Sequence, residues 1–121
     1  MKRDFDLIRS ILLAMEAHEH GFFDRIPVIE GYTDEQVGYH VYLMEQAGLL
    51  TATALTAAQL RSPCATPRSL TWDGHEFLGS MKDDTLWNKA KATVLTPLPG
   101  VALDVLFAWL KAHATERLGL A

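Results

Sequence analysis

One cysteine, Cys64, stands in 121 residues. No disulfide can close within the chain, and the simple expectation is a reducing, cytoplasmic setting. Nor is there an apolar run of the ~18–20 residues that a membrane span needs. The opening MKRDFDLIRSILLAME carries acids through its apolar part and offers no small-residue cleavage site, so it does not read as a signal peptide. Basic residues are scarce where nucleic acid would need them. Residues 1–60 hold four Lys/Arg against nine Asp/Glu, a balance of −5, while residues 61–121 hold seven against six, a balance of +1. Strong nucleic-acid binding leaves a basic footprint, and the first half has the opposite. A Gly-rich phosphate loop and a usefully spaced carboxylate pair are missing too. Ser, Cys and His are too scattered to assemble a nucleophile and its base. The expectation is a chain with no catalytic residue and no cofactor or metal.

What the chain does have is apolar bulk. Hydrophobic residues make up 49% of it, including three Trp, three Tyr and five Phe, which excludes global disorder and suits one domain with a modest core. Asp4 caps a predicted helix over 4–17, with Ile8, Ile11, Leu12 and Met15 as its buried stripe and Leu7 flanking. Phe22 to Ile29 reads as extended, held by Pro27 and its predecessor Ile26.

The stretch Thr33 to Leu50, TDEQVGYHVYLMEQAGLL, is the centre of the chain. Thr33 and Gln36 have the form of a capping box. Asp34 and Glu35 fall in the first turn, where the helix dipole favours negative charge. Val37, Val41 and Met44 form one seam, and Gly48 is placed to end the helix in a left-handed turn. Leu49 to Thr56 is a candidate strand, Ala57 to Arg68 a long loop, and Ser69 to Trp72 a short return strand. Helix, strand, helix, strand, loop, strand is the order of a winged helix with one helix shortened or lost.

Thr71 caps a predicted helix over about 72–82, with Phe77, Leu78 and Met81 facing inward. Asp83 or Asp84 caps another, with Trp87, Ala90 and Val94 along one side. Pro97, Pro99 and Gly100 make a break. A last helix over 101–118 is apolar around much of its circumference, through Val101, Leu103, Val105, Leu106, Phe107, Trp109 and Leu110. Such a helix either crosses the domain or pairs with another chain. The fold class is thus mainly α with a small β-wing: a winged helix-turn-helix-like part at 1–72 and a helical C-terminal extension at 73–121, in one compact domain.

Two resemblances add to this. YHVYLMEQAGLL resembles the recognition helix and wing start of winged-helix repressors of the ArsR and MarR type, and LTWDGHEFL resembles the segment after their wing. Over most of its length the chain is similar to an uncharacterised family found in bacteria, phages and prophages, through MKRDFDLIRSILL, EGYTDEQVGYHVYLMEQAGLL, LTWDGHEFLGSMKDDTLWNKAK and ERLGL. The second resemblance implies a phage or mobile-element setting and brings no reaction, ligand or catalytic residue.

In a DNA reader the groove face of the central helix offers Arg, Lys, Ser, Asn or Gln. Here the outward positions are expected to be Gly38, Tyr39, Tyr42, Glu45 and Gln46, and no Lys or Arg occurs from Asp34 to Gln46. Tyr39, Tyr42 and Gln46 suit a protein interface, where Tyr is enriched; the alternative is that both tyrosines half-bury against the wing or the C-terminal helices. The DNA alternative rests on Lys2, Arg3, Arg61 and Arg68, whose two or three phosphate contacts give only weak, salt-sensitive binding. The His18, Glu19, His20 run has no second ligand pair and reads as a helix end rather than a metal site. His40 falls where the repressor motif also has His, which implies a structural group pairing with backbone. Cys64 reads as an exposed, inert loop thiol, and Trp72, Trp87 and Trp109 as one shared core. The leading expectation is a non-enzymatic binding protein with a host or self partner, dimerising through 101–118; the alternative is a winged-helix transcriptional regulator.

Overall fold

The computed structural model describes residues 1–57 and 59–117, with side chains to residue 114. It is mainly helical with a small antiparallel sheet: α1 Phe5–Ala17, α2 Asp34–Gln46, β1 Leu50–Leu55, β2 Cys64–Leu70, α3 Trp72–Met81, α4 Asp84–Ala90, a π-helical turn Lys91–Leu95, and α5 Leu103–Arg117. Two compact units divide the chain, Met1–His75 and Glu76–Ala121. No helix among the described residues is long and apolar enough to cross a membrane.

In the first unit, α1 begins where Asp4 accepts the Leu7 N–H at 3.1 Å, which satisfies one of the donors a helix start leaves open. Its apolar face closes on α2 and β2. Leu7, Ile11 and Leu12 are fully buried. Each such side chain contributes about 1.5–3 kcal/mol through removal from water. α2 in turn packs on both strands.

The sheet has two strands, β1 and β2, paired antiparallel from Leu50↔Leu70 to Leu55↔Cys64, with a bulge at Arg68 of β2 opposite the step from Thr51 to Ala52. This corrects two sequence expectations. The return strand starts at Cys64 rather than Ser69, so the connecting loop is shorter than residues 57–68. Pro67 inside a strand argued for the later start, and the register explains why it is tolerated. Ala52 sits opposite Pro67 and sends its N–H away from β2, to Oε2 of Glu45 at 2.7 Å. In such a non-hydrogen-bonded pair the partner's nitrogen also turns outward, so the missing Pro67 donor costs the ladder nothing. The second correction concerns 22–29, which forms no strand. A single backbone bond, Phe23 N–H to the Arg68 carbonyl at 2.6 Å, ties it to β2, and buried Pro27 cannot extend a ladder.

In the second unit, Asp83 caps α4 by accepting the Leu86 N–H at 2.8 Å. Phe77, Leu78, Trp87, Leu106 and Leu110 are buried to 1% exposure or less. Phe77 meets Phe107 edge-on, ring centroids 5.2 Å apart. α5 starts at Leu103, two residues after the expected 101, and position 118 lies outside the described residues. The three tryptophans do not share a core: Trp87 is 1% exposed, Trp72 is 78% exposed, and Trp109 is half-buried against His113. Trp72 opens α3 on the solvent side of its first turn, where Thr71 is the cap.

Candidate functional site: the outer face of α2

α2 is held at both ends by its own sequence. The Thr33 hydroxyl accepts the Gln36 N–H at 3.1 Å, and the Gln36 side chain accepts the Thr33 N–H at 2.9 Å, a complete capping box. At the other end Gly48 has φ +78°, while Gly48 N–H reaches the Glu45 carbonyl and Leu49 N–H the Met44 carbonyl, both at 3.0 Å. That is a Schellman turn, which only a residue at ease in the left-handed region makes cheaply.

The inward stripe is Val37, Val41 and Met44, each 1% exposed or less. Gly38 also turns inward, which corrects its expected outward position. Its Cα lies so close to the Cys64 Sγ that a Cβ there would collide with the sulfur. Cys64 is accordingly buried in β2, not an exposed loop thiol. Burial, with the charges of Asp34 and Glu35 added, pushes its pKa above the ordinary thiol value against an opposing bond from Ala65. It stays a neutral thiol.

What remains outward is Glu35, Tyr39, Tyr42 and Gln46, at successive helical spacings of four, three and four residues. Tyr39 and Tyr42 are both half-buried and stack, centroids 6.2 Å apart and planes 24° apart, and Tyr39 also meets the edge of His40 at 6.1 Å. Gln46 is exposed. Glu45 belongs to the hairpin side, where it holds Ala52.

The basic candidates have separate neighbourhoods. Arg3 lies over the Phe5 ring, 5.5 Å from its centroid, just after the exposed Lys2. Arg68 donates to the Thr53 hydroxyl at 2.8 Å on the hairpin. Arg61 is exposed and lines a cleft of about 370 Å³ with Asp34, Glu35, Ile26, Leu60 and Cys64. Ser62 donates to Glu35 at 2.8 Å beside it. This cleft, at the start of α2, had no signal in the sequence because a loop forms one wall.

His18 and His20 line another cleft of about 280 Å³ with His75 and Glu16. His18 Nδ1 accepts the His20 N–H at 3.0 Å. No group of three His, Cys, Asp or Glu among the described residues is placed to hold a metal. His40 pairs with backbone at both ring nitrogens: Nδ1 donates to the Gln36 carbonyl at 2.8 Å, and Nε2 accepts the Asp4 N–H at 2.9 Å. Tyr32 completes this node by donating to Asp4 Oδ2 at 2.8 Å; the sequence showed Asp4 as a cap but not this tie.

A family described as hypothetical protein (DUF2513) matches residues 2–101. An uncharacterized protein of Haemophilus influenzae (strain ATCC 51907 / DSM 11121 / KW20 / Rd) is 37% identical over 107 residues, covering 88% of this chain and 89% of the relative. No solved structure matches.

Proposed function

The chain belongs to the DUF2513 family of hypothetical proteins, and since that membership names no reaction we propose, from the geometry of α2, a non-enzymatic binding protein that acts through protein contacts on a winged-helix-like scaffold. The observation that carries this reading is the stacked pair Tyr39 and Tyr42 on a helix face without a single Lys or Arg. Stacked tyrosines bring rigid, amphipathic area at little entropic cost, which is what an interface centre uses. Asp34 and Glu35 at the helix start would repel a phosphate from the place where helices usually receive one. On the whole-chain resemblance, the setting is phage or prophage and the partner a host protein whose work it hinders.

Affinity capture from the natural host tests this, comparing the unaltered chain with Tyr42→Glu. A half-exposed position tolerates the change, so circular dichroism stays as before while a specific partner disappears from the captured set. Equal capture by both chains defeats the reading. A DNA-binding regulator is the second reading, favoured by exposed Arg61 in the loop between the strands, where a wing reaches a minor groove. A gel shift at low salt separates the two: a complex that dissolves steeply with added salt supports DNA, and no shift at micromolar protein removes it.

A further inference from the structure

α5 divides its circumference between two roles. Leu106 and Leu110 are fully buried and Phe107 meets Phe77, so one side serves the core of its own unit. The opposite side carries Val105, Ala108 and Ala112, all exposed, Val105 at 53%. Their spacing of three then four residues is that of a two-helix seam. On one shoulder of the seam stand Asp104 and Lys111, both exposed and one heptad apart. On the other stand Ala102, at the start of the helix, and Trp109.

This placement of charge is self-complementary in one orientation. In an antiparallel pair of helices, like shoulders face each other; in a parallel pair, unlike shoulders do. A two-fold axis across the seam therefore sets Asp104 opposite Lys111 of the partner subunit and repeats the pair by symmetry. Val105 then meets Ala108 of the partner subunit, and Ala102 meets Trp109 of the partner subunit. Small residues at the centre let the backbones approach closely. A parallel pair would instead set Asp104 opposite Trp109 of the partner subunit, and the match between Asp104 and Lys111 would be lost.

We propose that α5 forms an antiparallel homodimer with α5 of a second copy of this chain, its register set by the Asp104 and Lys111 pairs. The seam from 102 to 112 is only about 16 Å long at ~1.5 Å per residue. An interface of that size is at the small end of specific contacts, so the dimer exchanges and its population depends on concentration. The surface lies on a different element from the tyrosine face of α2, and neither proposal needs the other.

Sedimentation velocity of the full chain, from low micromolar to sub-millimolar, tests it. The mean mass rises with concentration toward twice that of the chain. Asp104→Lys and Lys111→Asp, each alone, set like charges opposite one another and weaken association by about tenfold. Mixed one to one, the two variants restore it, because every shoulder pair is then of opposite sign; the double reversal restores it as well. Thermal melts of each variant separate lost association from lost folding, and Ala112→Glu at the exposed seam blocks pairing by a second route. A chain that stays monomeric throughout, or one whose association ignores the single reversals, overturns the proposal.

Discussion

The backbone N–H of Asp4 donates to Nε2 of His40 at 2.9 Å, across 36 residues of sequence. His40 is 2% exposed, and its Nδ1 donates to the Gln36 carbonyl. Those two bonds fix the orientation of the ring, with Nε2 aimed at the start of α1. One side chain thus joins the start of α1 to α2.

Removing that acceptor strands a part-buried N–H. His40→Leu is expected to destabilise the chain by about 1–3 kcal/mol, the cost of an unmade buried bond. Urea unfolding with an unchanged m-value measures it. A loss below about 0.5 kcal/mol would show that water replaces His40 without penalty.

Tyr32 extends the same node. Its phenol is pushed from the usual 10.0 up to about 12, first by burial, then by the bond it donates to Asp4 and the charges of Asp4 and Asp6. A raised pKa means that the fold prefers the neutral phenol. The stability this contributes is whole below about pH 10 and fades as pH climbs toward 12. Absorbance titration at alkaline pH should resolve one late tyrosine, absent in Tyr32→Phe. The stabilities of the two proteins should converge over the same window. A Tyr32 phenol that titrates near the usual 10.0 would contradict the bond.

Gly38 and Cys64 make a coupled pair. Gly38→Ala gains about 1 kcal/mol of helix propensity but drives a Cβ into the Cys64 Sγ, and overpacking of this kind costs about 1–3 kcal/mol. The collision wins, so the single variant melts lower. In a Cys64→Ala background the same change has room and should be neutral or stabilising. Additive effects in this double-mutant cycle would mean that the two residues do not touch.

The tryptophans should separate in a truncation series. Trp87→Ala leaves a core cavity and is expected to cost about 3–5 kcal/mol. Trp109→Ala removes a half-buried ring stacked on His113 at 3.8 Å and should cost about 1–2 kcal/mol, near one aromatic pair and partial burial. Trp72→Ala, at 78% exposure, should stay below about 1 kcal/mol. Equal costs at all three positions would restore the shared core that the sequence suggested.

Local physics was legible without any fold. Asp4, Thr33 with Gln36, Thr71 and Asp83 act as caps in the structure because each needs only a side chain and an N–H two or three residues away. The seam of Val37, Val41 and Met44 and the turn at Gly48 follow from helical spacing and backbone sterics in the same way. Positions whose neighbours lie far along the chain carry no such local signal. Pro67 signalled a loop, yet the outward nitrogen of a bulged strand accommodates it. Cys64 looked exposed between prolines, yet lies against Gly38 of α2. Trp72 looked like core by its chemistry and points to water by its place in the first turn of α3. The sequence by itself determined the helices, their caps and the charge of the α2 face, since these depend on neighbours within a turn. Only the tertiary structure decided which side of α2 is buried at Gly38, where β2 begins and what His40 holds, because those depend on atoms that come together only once separate elements have packed.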